Sequence, residues 1–197
     1  LQLVLVDPKR TDFSLFNNLP HLRGNEGVIT DAQEAIDVLA YLVNHELEQR
    51  TQQLEEEFYM DIHDYNKDHP DDPIPPIIVV VDEFADLSDV MDTKEQRENF
   101  DLALKRLAQR ARSVGIHLVV ATQRPTADII DGTIKANLPC RVSFRLESNV
   151  DSRTVLDQGG AEHLLGSGDM LLRREGDTTR LQGLFLGNDD LRTALQR

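Results

Sequence analysis

The chain has 197 residues, 40% hydrophobic and 28% charged, which suits one soluble domain with a real core. Its 35 acidic against 21 basic side chains leave a net charge of −14, which excludes a surface that grips nucleic acid all round but not local basic loops on an acidic body. No run approaches the roughly 18 apolar residues of a membrane span, no basic-plus-apolar leader pattern is present, and the single cysteine, Cys140, excludes an internal disulfide or a multi-cysteine metal site and points to a reducing compartment.

Residues 1–6, LQLVLV, read as a strand that stops at Asp7-Pro8-Lys9-Arg10, where proline and charge break the pattern. The chain enters this strand at once, which reads as a fragment. Residues 11–29 read as irregular, with an apolar cluster at Phe13, Leu15 and Phe16. Thr30 with Gln33 fits a capping box, and Ala32, Ala35, Ile36, Leu39, Val43 and Leu47 then make a one-faced helical stripe. From residue 46 to 72 there are ten acidic residues and two basic ones, Arg50 and Lys67. Residues 51–76 read as a variable acidic helix and loop. Their DHPDDPIPP stretch cannot continue a helix and leads, as a surface hairpin or linker, into a buried strand.

Residues 77–81, IIVVV, are apolar and β-branched without alternation, which suits a central parallel strand covered on both faces. Thr93 and Gln96 offer a second capping box. Phe100, Leu104, Leu107 and Ala111 stripe the helix that follows, and Gly115 closes it as a C-cap. HLVVA at 117–121 is a second buried strand, ending at Thr122-Gln123-Arg124-Pro125. The pattern then predicts a short helix over 126–137, a strand over 141–146, and short helices over 150–157 and 161–165. Strands at 170–172 and 181–186 and a last helical turn from Asn188 complete the series. Strands alternating with helices give an α/β layer with a mostly parallel sheet.

An apolar strand followed by Asp82-Glu83 has the form of a Walker B strand. A buried strand holds the carboxylates at its tip rigidly in a crevice. Asp82 is then placed to hold Mg²⁺ through its water shell, and Glu83 to polarise a water for attack on a γ-phosphate. The plainer alternative is a strand-end pair that meets solvent or caps a helix. In a parallel sheet, Thr122 and Gln123 reach the same crevice, where a hydroxyl and an amide sense phosphate or orient the water. The alternative there is a polar turn stopped by Pro125.

Residues 151–170 carry glycines at 159, 160, 166 and 168 but do not match GxxxxGK[ST]. Gly166 and Gly168 are assigned to nucleotide binding through exposed backbone. Arg145 and Arg153 flank this region as planar donors to a neighbouring subunit's phosphate, or as members of surface ion pairs. From residue 94 to 112 there are six basic residues against three acidic ones, a face open to DNA, to an acidic neighbouring subunit or to solvent.

Four runs match a known family in its order: VLVDPKRTDFSLFNNLPHL at 4–22, IIVVVDEFADL at 77–87, LAQRARSVGIHLVVATQRP at 107–125, and IKANLPCRVSFRLESNVDSRTVLDQGGAEHLLGSGDMLL at 134–172. Through them nearly all of the chain resembles the motor domain of the FtsK/SpoIIIE family of DNA translocases. The resemblance implies a RecA-like P-loop NTPase core, with residues 1–197 forming a single motor-domain fragment. It implies ATP and Mg²⁺ as cofactors, double-stranded DNA as substrate and a homo-oligomeric, usually hexameric ring, working in chromosome segregation, sporulation or conjugative transfer. Asp82 and Glu83 would be its Walker B pair, with Asp82 at the metal. Thr122, Gln123 and Arg124 would form its sensor region, and Arg145 and Arg153 stay candidates for action in trans.

No GxxxxGK[ST] occurs in these residues. The family carries that loop and the first core strand upstream of VDPKR, with the strand inside the sheet. The expectation is therefore a core incomplete on its N-terminal side, with strand edges exposed in mid-layer and an upstream product carrying the loop as partner. The chain is expected to be cytoplasmic without direct membrane contact, membrane tethering being left to the full-length protein. Two other functions compete: an FtsK-like ATPase that moves protein in a secretion system, and a non-catalytic ring-assembly module.

Overall fold

The computed structural model describes residues 1–23, 27–91 and 93–195. It divides into two compact units, Leu1–Gln123 and Arg124–Arg197. The first contains β1 (Gln2–Val6), α1 (Ala32–Tyr41), α2 (Leu47–Glu56), α3 (Ile62–Asp68), β2 (Ile77–Val81), α4 (Phe84–Val90), α5 (Lys94–Arg110) and β3 (Ile116–Val120). The second contains α6 (Gly132–Asn137), β4 (Arg141–Ser143), α7 (Asn149–Leu156), β5 (Asp169–Arg174), β6 (Asp177–Gln182) and α8 (Asn188–Leu195). No described helix is long and apolar enough to cross a membrane.

In the first unit β1, β2 and β3 form one parallel sheet in that order. The three pair directly, so the expected break in mid-layer does not occur among them. Their register puts Leu5, Val80 and Val119 in one row. Exposure along that row rises from 6% at Leu5 to 48% at Val119, so the open side of this sheet lies at β3. Ile77, Val79 and Val81 are fully buried, whereas Ile78 and Val80 are half-buried. The reading of β2 as a strand covered on both faces therefore holds fully for one face.

Helices flank the sheet, α5 packing on α1 and β3. Leu39, Leu47 and Leu107 are essentially inaccessible, and each such side chain contributes about 1.5–3 kcal/mol of burial. The capping box on α5 forms as its spacing predicts, Thr93 and Gln96 bonding reciprocally. The one read at Thr30 and Gln33 does not form. Asp31 is already extended, and its carboxylate accepts the Glu34 N–H at 3.0 Å, a shorter reach than Thr30 would need. The stripe from residue 32 to 47 is not one α-helix. A π-turn at Leu42–Glu46, with the Leu47 N–H on the Leu42 carbonyl, separates α1 from α2 and keeps Leu42, Val43 and Leu47 all buried.

The acidic segment that follows is pinned by buried Leu54, Tyr65 and Ile74, and Asn66 exchanges two hydrogen bonds with Ile74. Gly115 is not the cap of α5, which ends at Arg110. It turns the chain into β3 with φ +72°, where an added Cβ would lie 2.0 Å from Ile62 Cδ1.

The second unit holds an antiparallel sheet in the order β4-β5-β6, so the late strands do not extend a parallel layer. The reason is local. Glu175 and Gly176 both take positive φ, 54° and 93°, and a two-residue turn of that kind makes a hairpin. The strand expected over 141–146 stops at Ser143, the helix expected over 126–137 spans Gly132–Asn137, and 161–165 yields only a 3₁₀ turn at Ala161–His163. Leu156, Ala161 and Leu164 form the core, with Leu146, Val155 and Leu171 packed against it.

Candidate functional site

The sheet of the first unit sets the site. β1, β2 and β3 end in register at Val6, Val81 and Val120, so the residues after them leave from one carboxyl edge. The ladder runs one residue further: the Asp82 N–H donates to the Val6 carbonyl, the Ala121 N–H to the Val81 carbonyl, and the Phe84 N–H to the Ala121 carbonyl. Asp7, Asp82, Glu83, Thr122 and Gln123 are thereby fixed on one rim by backbone bonds.

Asp7 is fully buried. Its Oδ2 accepts the N–H groups of Asp12 and Phe13, both at 3.1 Å, while Oδ1 is buried with no hydrogen-bond partner. Burial, then the Asp12 carboxylate, then Asp7, push the Asp82 carboxyl above the usual carboxylate range. A tip with this much uncompensated negative charge favours a cation. Mg²⁺ is held by one or two carboxylates plus water and substrate phosphates, and Asp82 beside the orphaned Asp7 oxygen fits that donor set. Among the described residues no group of three His, Cys, Asp or Glu side chains is arranged to hold a metal ion by itself.

Glu83 is turned the other way. It takes the left-handed conformation, φ 46° and ψ 67°, at the start of α4, and is 1% exposed. Its Oε1 accepts the Thr122 hydroxyl at 2.6 Å and its Oε2 the Gln123 backbone N–H at 2.9 Å. The Lys9 ammonium stands 3.7 Å from Oε2 and 2.9 Å from Asp86 Oδ2. A left-handed non-glycine residue costs about 1–2 kcal/mol, and these charge-assisted bonds offset it. Gln123 contributes its backbone here, not its amide, and its side chain is exposed. Lys9, Asp7 and Asp12 were not found from the sequence, where DPKR reads as a strand breaker. The usable signal is that Asp7 follows an apolar run just as Asp82 does.

Arg145, Arg153, Gly166 and Gly168 stand in the second unit. Arg145 is exposed after β4. Arg153 is exposed on α7, with Nε donating to Asn149 Oδ1 at 2.8 Å. Gly166 and Gly168 take φ of 85° and 89° around a loop tied by the Leu165 N–H on Asp169 Oδ2 and the Gly183 N–H on the Gly168 carbonyl, both 2.7 Å. A Cβ at Gly168 would lie 3.1 Å from the Gly183 carbonyl oxygen, while the space at Gly166 is open. On the basic stretch, Arg110 pairs with Glu48, Lys94 with Glu98, and Arg97 donates to the Met91 carbonyl. Lys105, Arg106 and Arg112 lie exposed.

Residues 1–127 match the model of the FtsK/SpoIIIE family. A DNA translocase FtsK from Borreliella burgdorferi is 42% identical over 193 residues, which cover 94% of this chain and 24% of the relative. The DNA translocase FtsK of Haemophilus influenzae is 39% identical over 219 residues, covering 97% and 40%. The chain thus spans about a quarter to two fifths of the length of the curated relatives it matches. Among solved structures, the pCW3 conjugation coupling protein TcpA, in a monomer form with ATPγS, is similar with a TM-score of 0.84 at 29% identity, covering 100% of this chain and 57% of that one.

Proposed function

The chain belongs to the FtsK/SpoIIIE family and has a RecA-like α/β fold, and from that premise we propose that it is the hydrolytic part of an ATP-driven double-stranded DNA translocase. The observation that carries the proposal is the shared rim: Asp82 leaves β2 beside Asp7, and Glu83 is bonded to both Thr122 and Gln123 from β3. Such a rim at the carboxyl ends of parallel strands is where phosphoryl chemistry is built in this class of sheet.

In this reading Asp82 holds Mg²⁺, with Asp7 as the neighbouring oxygen. When bound, the metal neutralises charge on the β- and γ-phosphates. Glu83 accepts the proton of the attacking water at a carboxylate oxygen. The Thr122 hydroxyl and the Gln123 N–H link that carboxylate to the tip of β3, so a change at the phosphate is felt along the strand. Arg145 or Arg153 donates to the transferring phosphoryl group of a neighbouring subunit in a hexameric ring, and Gly166 and Gly168 offer backbone to the nucleotide. The GxxxxGK[ST] cradle is supplied by polypeptide outside these residues, and the two units act as one motor domain. DNA is met through local basic groups, Lys105, Arg106 and Arg112 among them, on an otherwise acidic body. The chain works in the cytoplasm, with any membrane tether carried elsewhere in the full-length protein.

The test is Glu83→Gln in the full polypeptide. Nucleotide binding should persist while turnover falls at least ~100-fold. Unchanged turnover would remove Glu83 from the base role. Stimulation of the wild-type ATPase by duplex DNA supports translocation of DNA, stimulation by a protein substrate instead would assign the motor to protein, and absence of Mg-ATP binding would leave only an assembly module.

A further inference from the structure

We propose that Lys9 is a positioning residue that holds Glu83 in a parked, water-excluded state, and that hydrolysis waits on release of this hold. The proposal deepens the reading of Glu83 as the base and rests on it.

A base must touch the water it deprotonates. Glu83 is 1% exposed and spends one oxygen on the Thr122 hydroxyl and the other on the Gln123 N–H. In this state it is shut away from solvent, so it has to swing outward to act. Its backbone shows that the parked state is under tension: φ 46° is a strained value for a residue with a side chain, maintained only where surrounding contacts over-determine it. Three contacts do so, and they come from two strand tips. Thr122 and Gln123 follow β3, whereas Lys9 follows β1, on the far side of β2. Lys9 also bridges to Asp86 in the first turn of α4, the helix that Glu83 begins. The ammonium thus clamps the glutamate and the helix start together. Its side chain is 41% exposed, so an arriving charged group has access to it.

A half-exposed ion pair has a modest effect, and the test is scaled to that. In the full polypeptide, Lys9→Met should speed hydrogen exchange at the Gln123 amide and raise unstimulated ATP turnover, each by about two- to fivefold, with KM for ATP unchanged. Lys9→Arg, which keeps the charge, should restore both. Unchanged exchange at Gln123 in Lys9→Met would overturn the hold. Faster exchange with unchanged or lowered turnover would overturn its role as a restraint on hydrolysis. The exchange measurement needs no activity, so it judges the hold even if Glu83→Gln shows that Glu83 is not the base.

Discussion

The first unit buries Leu39, Leu42, Leu47, Val79, Phe100 and Leu107 around a parallel sheet, whereas the second assembles its core on Leu156, Ala161 and Leu164. What the second unit lacks in apolar volume it makes up in charge. Asp157 takes Lys135 and Arg141, each at 2.8 Å, and Arg173 at 3.8 Å. Asp169 takes Arg180 at 2.6 Å together with the Leu165 N–H, and Glu162 takes the Asn149 amide at 2.6 Å together with the Gly160 N–H. Burial of hydrocarbon carries no titrating group, while these pairs titrate with pH and are screened by salt. The first unit also has ion pairs, Arg23 and Arg50 on Glu46 and Lys9 on Glu83 and Asp86, but sets them on a large apolar core, whereas the second unit rests more of its structure on charged contacts.

The contrast can be broken most decisively in the first core. Leu107→Ala should destabilise the protein by about 3 kcal/mol and release hydrogen-exchange protection across β2, β3 and α5. A loss under about 1 kcal/mol would mean that this core is not what holds the unit. A smaller effect is expected from Arg141→Met. The Arg141 side chain is 14% exposed and also donates to the Val155 carbonyl, but Asp157 is 40% exposed, so its desolvation is partial. The expected cost is about 1 kcal/mol, with exchange accelerated over α7 and little change in the first unit.

The mildest test is acid. Hydrogen bonds from Asn149 and the backbone hold Glu162 down to about 2, from an ordinary 4.5, and those from Arg180 and Leu165 hold Asp169 down to about 2, from an ordinary 3.8. A carboxylate lowered on folding adds stability that is fully present above its ordinary value and is lost as pH falls towards the folded value. Amide protection at Gly160 and Leu165 should therefore decline between pH 4.5 and 2, before protection of β2 is lost. Simultaneous loss in both units would erase the distinction.

Much of this architecture was legible in the residues. IIVVV is too apolar to lie anywhere but inside a sheet, whereas HLVVA, which reads as a second buried strand, forms β3 at the open side, with His117, Val119 and Ala121 exposed and Leu118 and Val120 half-buried; both runs end in polar residues at a definite point. The capping box of Thr93 and Gln96 is a short-range device whose partners sit within one turn. The hairpin turn at Glu175-Gly176 was an equally local signal, and its glycine accounts for the antiparallel sheet that alternation alone did not suggest. Asp31 displaced Thr30 as a cap by a difference of one residue in where the backbone leaves its extended course, a matter of dihedral angle rather than residue type.

The amino-acid order by itself determined which segments are strands of the parallel sheet, which carboxylates end them and which family the chain resembles, because those features depend on composition within a few neighbouring residues. Only the tertiary structure decided that Glu83 faces inward. Its partners Thr122 and Gln123 lie 39 and 40 positions away along the chain, and Lys9 arrives from a third strand. Parallel pairing of β1, β2 and β3 brings these groups within bonding distance, and the field at one strand tip is set by whatever the neighbouring tips carry.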